Sequence, residues 1–152
     1  MLTVGVAFHV VAAVIWVGGM FFALLILRPS TGPLDPAVRL GLWRRVFARF
    51  FPWVWAAVVV LLASGFAMII WGFGGFRGAG TYVNIMMGIG IVMMLIYGHL
   101  YFAPWQRFRG AVDAGEWSAA ARHIDQIRVL VTINLVLGIV TVVVGAAGRY
   151  YG

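Results

Sequence analysis

Residues 4–27 read VGVAFHVVAAVIWVGGMFFALLIL, a continuous apolar run that ends at Arg28. Three further runs of this kind follow, at about residues 51–71, 82–102 and 129–147. Each supplies roughly 20 residues, enough for a helix to cross a hydrocarbon core of about 30 Å. Only helices and closed barrels satisfy backbone polar groups in lipid, and these runs are continuous rather than alternating. The sequence therefore predicts an all-α, integral membrane bundle of four helices.

The composition of the 152 residues points to lipid as the solvent of a single domain, residues 1–152. Hydrophobic residues make up 64% of the chain and charged residues only 10%, whereas a soluble domain keeps about 25% charged. The net charge of +7 does not indicate a nucleic-acid partner, because the arginines are scattered between apolar runs. The absence of cysteine excludes disulfides and thiolate metal sites. The first run is too long for a signal peptide core, so we expect a retained helix.

Arginines set the predicted orientation. Five lie between the first and second runs and four between the third and fourth, whereas the opposite side holds only Arg77 and Arg149. The positive-inside rule places the two arginine-bearing loops in the cytoplasm and both termini outside, as in a multi-pass protein of the bacterial inner membrane. Aromatic residues near the boundaries fit an interfacial belt: they are Trp43, Trp53 and Trp105 inside, and Trp71, Tyr82, Tyr150 and Tyr151 outside.

The segment before the second span has its own pattern. Leu40, Trp43, Phe47 and Phe50 fall at helical spacing, and the arginines fall largely elsewhere. This pattern is typical of a short amphipathic helix on the cytoplasmic surface. Its arginines would either anchor the protein to anionic lipid or receive a carboxylate-bearing ligand such as a porphyrin. We expect residues 113–128 to form a solvated connector helix.

The fourth run carries a stripe of small and polar residues. Asn134, Gly138, Thr141, Gly145 and Gly148 follow one another in steps of four and three, so they share one face of the helix. Small residues in this pattern allow helices to approach closely in lipid, and Asn134 can bond across the interface. The stripe predicts packing within the bundle, and it would serve a homo-oligomer equally well.

Two histidines lie within predicted spans, His9 and His99, and no Asp or Glu does. Ionisable residues at membrane depth mark functional sites by default. Neutral imidazole binds haem iron and copper, while the alternative is a histidine that hydrogen-bonds to its neighbours. From their positions on parallel spans, the two histidines should differ in depth by about 18 Å. They are therefore expected to occupy two sites, or one of them is structural.

Other candidate ligands follow from depth. Met86, Met87 and Met68 are predicted near the depth of His9, and Asn134 near that of His99. A thioether suits haem iron opposite histidine, and it also suits Cu(I). Methionine is also a common core filler, so each of the three has a packing alternative.

The run from Phe8 to Phe21, with His9, then Trp16 seven residues later and Gly18-Gly19, resembles the first helix of CopD-like membrane proteins and of HemJ-type protoporphyrinogen oxidases. The third helix ending in His99 and the stretch from Ile133 to Gly138 also resemble CopD-like proteins. The resemblance covers nearly the whole chain. It implies a haem b site in a four-helix bundle, with His9 as the first-helix ligand and Trp16 as a further cofactor-binding residue.

Three hypotheses follow for function. The first is a membrane haem b redox protein, an electron carrier or an oxidoreductase with a membrane redox partner. Its axial ligands would be His9 and a methionine, and Arg77 or Arg149 would pair with the propionates. The second is a copper-handling protein that binds Cu(I) through His9 and the outer methionines. The third is an accessory subunit without a cofactor. The lipid bilayer is the only partner that all three hypotheses share.

Overall fold

The computed structural model describes residues 2–148 and Tyr150, so the predicted outer residues Arg149 and Tyr151 lie outside the described part. The described chain is all-helical, as predicted. Its helices are α1 (Leu2–Phe21), α2 (Arg28–Ser30), α3 (Pro36–Ala67), α4 (Thr81–Phe102), α5 (Pro104–Asp113) and α6 (Trp117–Gly148). Two π-helical segments, Phe22–Leu27 and Met68–Gly72, continue α1 and α3.

Four helices are long and apolar enough to cross a membrane, which confirms the predicted four-span bundle. With their π-helical extensions they cover Leu2–Ser30, Pro36–Gly72, Thr81–Asp113 and Trp117–Gly148. Much of their apolar surface faces outward, as lipid contact requires. Along the bundle α1 packs on α3, α4 packs on α6, and α1 meets α6 between these pairs.

The two ends of the bundle differ in character. We call the end that holds residues 28–50 and 103–128 the arginine-rich end, and the end that holds residues 72–80 the glycine-loop end. In the glycine loop, Gly74 and Gly75 have φ angles of +70° and +107°, which disfavour any side chain. The assignment of the arginine-rich end to the cytoplasm stays a prediction.

The amphipathic segment before the second span is helical, as predicted, but it is not a separate surface helix. It is the first part of α3, which runs unbroken for 32 residues and passes through Pro52. At about 1.5 Å per residue, α3 is longer than the hydrocarbon core is thick. The apolar side of the segment packs on protein, because Leu40, Trp43 and Phe47 are buried in the core.

The connector between the third and fourth spans also packs more closely than the sequence suggested. Its first part is α5, in which Trp105 and Phe108 are buried. Gly115, at φ +72°, makes the turn, and residues 117–128 form the first turns of α6 rather than a separate helix. Ala120 and Ile127 on this part of α6 are fully buried. The small and apolar residues of these turns pack against α5. One side of the connector is therefore shielded from water.

The glycine stripe of α6 is a packing surface, as predicted. A Cβ atom built on Gly138 would lie 2.8 Å from Val17 Cγ2 and 3.2 Å from Met93 Cε, closer than ordinary contact. One built on Gly145 would lie 2.8 Å from Met86 Cε. The stripe therefore lets α1 and α4 approach the α6 backbone. On the same helix the amide nitrogen of Asn134 donates to the Met93 carbonyl at 3.1 Å, the predicted interhelical bond.

Aromatic rings fill the core toward the arginine-rich end. Phe51 stacks on Phe47 at 5.1 Å between centroids and meets Trp105 edge-to-face at 5.1 Å. Tyr97 lies edge-to-face to Trp16 and Phe51, and its hydroxyl donates to the Phe51 carbonyl at 3.0 Å. This hydrogen bond joins α4 to α3 next to Pro52. These contacts form an aromatic half of the bundle, and the same helices carry the candidate site in their other half.

Candidate metal site at His9

The candidate site lies between α1, α3 and α4, toward the glycine-loop end. His9 belongs to α1 and is half-buried. Its Nδ1 lies 2.9 Å from the Ser64 hydroxyl of α3. Histidine at membrane depth is thereby held by a polar group from a second span, and its ring orientation is fixed.

The direction of this hydrogen bond follows from the proton count of Ser64. Its hydroxyl has one proton, and it donates that proton to the Val60 carbonyl at 2.6 Å. The same oxygen can then only accept from His9, so Nδ1 carries the imidazole proton. Nε2 of neutral His9 is left with a free lone pair, the form in which histidine binds a metal.

Met87 is the neighbour of His9 that could bind the same ion. A Cβ atom built on Gly65 would lie 3.6 Å from His9 Cε1 and 3.9 Å from Met87 Cε. Both side chains therefore converge on one point of α3, which has no side chain there. The imidazole from α1 and the methyl end of the Met87 side chain from α4 thus lie against the same point of the α3 backbone.

Met68 lies about one turn closer to the glycine-loop end. Its Cγ would be 3.4 Å from a Cβ atom built on Gly5, the residue one turn before His9 on α1. Met68 thus packs against α1 about one turn from His9. Met86 is turned away, since its thioether and methyl pack at Gly145 of α6.

The other predicted site residues lie elsewhere in the bundle. Trp16 is buried two turns along α1 from His9, against Tyr97. His99 is exposed at the arginine-rich end of α4, twelve residues from Met87 and therefore about 18 Å along the helix. His9 and His99 do not come together, in agreement with the depth argument.

Asn134 is buried, and its Oδ1 has no hydrogen-bond partner in the described structure. Its amide group is bound to the α4 backbone rather than to His99. Arg77, the candidate propionate partner, is exposed in the glycine loop, and Arg149 lies outside the described residues.

Ser64 and Gly65 are the site residues that sequence reasoning missed. Ser64 is the one hydroxyl in the run 51–71. A lone serine in a lipid-embedded helix needs a partner, and His9 was available at a similar predicted depth. That signal would have paired the two residues.

The chemistry of the site is set by soft and neutral donors. Within the described residues, no group of three or more His, Asp or Glu side chains could hold a metal, and the chain has no cysteine. The Arg44–Asp113 ion pair at 2.8 Å lies far along the bundle, at the arginine-rich end. Imidazole and thioether together, without carboxylate, fit Cu(I) or a haem iron better than a hard divalent cation.

The fold defines a four-span integral membrane protein, and its candidate site combines an imidazole with a thioether side chain. A sequence model of the family described as CopD, copper resistance protein D, matches residues 44–147, more than half of the chain. The chain belongs to the CopD family. No curated protein and no solved structure matches it. The matched region includes Ser64, Gly65 and Met87, whereas His9 comes from the helix that precedes it. The finer resemblance to HemJ-type oxidases stays a prediction.

Proposed function

We propose that this CopD-family protein handles copper within the membrane and binds Cu(I) through His9 and Met87. The observation that carries the proposal is the convergence of these two side chains at Gly65. Cu(I) prefers soft and borderline donors such as thioether and imidazole. Copper is then the cargo of the protein. Met68 is the candidate third donor, and it would bind the ion as the ion enters from or leaves toward the glycine-loop end.

The role of Ser64 supports the same proposal. An outer partner that holds the metal-binding histidine in one tautomer is usual in metal sites. With Nδ1 bound to Ser64, only Nε2 is offered to the ion. No Asp or Glu lies in the four apolar runs, and this lack of hard carboxylate ligands favours Cu(I) over divalent metals.

A haem b redox protein is the second candidate function. The observation that favours it is the same free Nε2 of His9 with a thioether nearby, the donor set of histidine–methionine haem proteins. Under this hypothesis Met87, Met86 or Met68 would be the second axial ligand. A porphyrin ligand and a redox partner in the inner membrane would follow from it.

Metal content and absorption of the purified protein separate the candidates. The protein would be expressed with ample copper and haem and purified in detergent, and His9→Ala would be the comparison. The copper proposal predicts about one copper per chain, no Soret band, and loss of the copper in the variant. A Soret band that disappears in His9→Ala would establish the haem function instead. A colourless, metal-free wild type would leave the accessory-subunit hypothesis.

A further inference from the structure

A cavity of about 620 Å³ opens at the arginine-rich end of the bundle, far from His9. It lies between the end of α1, the start of α3 and the first turns of α6. Its volume falls within the range of about 300–1,000 Å³ found for small-molecule sites. Neither the CopD match nor the copper proposal assigns a role to it.

Three arginines, Arg28, Arg39 and Arg128, are among the residues that line this cavity. The Arg28 guanidinium has no hydrogen-bond or ion-pair partner within the described residues. Arg39 makes only a long hydrogen bond, 3.4 Å to the Gly32 carbonyl. Arg128 is paired with Asp125 at 3.0 Å, the one acid in the lining. The lining therefore carries two uncompensated positive charges that could bind an anion.

The cavity is apolar one helical turn deeper into the membrane. Leu24 precedes Arg28 by four residues on the first span, and Val131 follows Arg128 by three residues on α6, so both lie roughly 5 Å further from that end. Phe47 of α3 completes this wall, and Leu25, which also lines the cavity, is exposed on the lateral surface. The lining thus has a cationic mouth, an apolar floor and a side toward the lipid.

We propose that the cavity binds one anionic phospholipid, with its phosphate at Arg28 and Arg39 and its upper acyl chain against Leu24 and Val131. Arginine binds phosphate oxygens with strong, charge-assisted hydrogen bonds. Anionic lipids are enriched in the leaflet that positive-inside arginines face. Free phosphate offers the same charge, but it would not bury the apolar floor, so the lining favours a lipid. The proposal is independent of the copper site.

The test measures the thermal unfolding of the detergent-solubilised full chain with added phosphatidylglycerol, and with phosphatidylcholine of the same acyl chains. We expect phosphatidylglycerol to raise Tm by about 5 °C and phosphatidylcholine to raise it far less. The cavity variant Arg28→Gln/Arg39→Gln/Arg128→Gln should lose most of this difference. The control Arg45→Gln/Arg49→Gln/Arg122→Gln removes three charges from the same end but outside the lining, and it should keep the difference. Native mass spectrometry should show one retained phosphatidylglycerol per wild-type chain.

Equal loss in both triple variants, or equal stabilisation by the two lipids, would overturn the proposal. Inorganic phosphate that reproduces the Tm increase without lipid would overturn the lipid assignment. If the cavity triple variant does not fold, Ala121→Phe serves as a charge-neutral variant, because Ala121 lines the cavity and a larger side chain would fill it. Ala121→Phe should retain no phosphatidylglycerol in native mass spectra, and full retention would contradict the proposal.

Discussion

Ser64 accepts a hydrogen bond from the imidazole Nδ1 of His9 at 2.9 Å, across the interface of α3 and α1. The serine gives its own proton to the Val60 carbonyl, so the direction of the bond is fixed. This relationship orients the ring and leaves Nε2 as the nitrogen with a free lone pair. It also satisfies Nδ1 of His9 and the hydroxyl of Ser64 at membrane depth.

Replacing Ser64 with alanine removes the acceptor that selects the His9 tautomer. We expect Ser64→Ala to weaken Cu(I) binding roughly 10-fold or more, the usual cost of losing an outer-shell partner. Competition against a chromophoric Cu(I) chelator measures the change. Ser64→Thr keeps a hydroxyl and is the control that should bind nearly as the wild type does. Equal affinity for Ser64→Ala and the wild type would show that the serine does not support a metal ligand.

Gly65 should accept alanine but not a larger side chain. A Cβ atom there would be in ordinary contact with His9 and Met87, at 3.6 and 3.9 Å, whereas leucine would occupy the space between them. We expect Gly65→Ala to retain copper and Gly65→Leu to lose it, as measured by elemental analysis after purification. Gly98→Leu is the control, because nothing lies within 4 Å of its added Cβ. Copper retained in Gly65→Leu would argue against a site at this point.

A substitution at Tyr97 tests how much its buried hydrogen bond stabilises the aromatic half of the bundle. Its hydroxyl is buried and bonded to the Phe51 carbonyl, so Tyr97→Phe should destabilise the fold by about 1 kcal/mol. Thermal or denaturant unfolding in detergent measures the loss. Tyr101→Phe, whose hydroxyl has no hydrogen bond among the described residues, should change stability less. A larger effect at Tyr101 would contradict this account of the core.

The orientation can be tested with single cysteines, because the chain has none. Phe76→Cys in the glycine loop and Ala114→Cys between α5 and α6 lie at opposite ends of the bundle, and Phe76 is exposed. In intact cells, a membrane-impermeant thiol reagent should label Phe76→Cys and should leave Ala114→Cys unlabelled until the cells are opened. The reverse pattern would invert the predicted topology.

The spans and the glycine stripe could be predicted from sequence because lipid imposes strict rules. An apolar run of about 20 residues has few alternatives to a transmembrane helix, and the spacing of Gly138 and Gly145 requires close neighbours. The continuity of α3 through Pro52 could not be predicted in this way. The amphipathic spacing of Trp43 and Phe47 predicted a separate surface helix, whereas the buried aromatic contacts of these residues hold the segment as one helix with the second span.

The candidate site was only partly predictable. His9 stood out because imidazole is costly in lipid, but three methionines were equivalent on depth alone. Which of them meets His9 depends on the rotation of α4, and that rotation is set by packing at Gly145 and Gly65. Met86 faces one glycine and Met87 the other. No property of a single helix distinguishes these adjacent residues.

The comparison of Met87→Leu with Met86→Leu therefore tests the central claim most directly. Both changes replace a thioether with an apolar side chain of similar size, at neighbouring positions of one helix. The measurement is Cu(I) affinity by chelator competition in detergent. Our account predicts that Met87→Leu weakens binding by more than the roughly 10- to 100-fold cost of losing an outer-shell partner, while Met86→Leu binds as the wild type does. Equal affinities for the two variants, or a loss confined to Met86→Leu, would contradict a copper site formed by His9 and Met87.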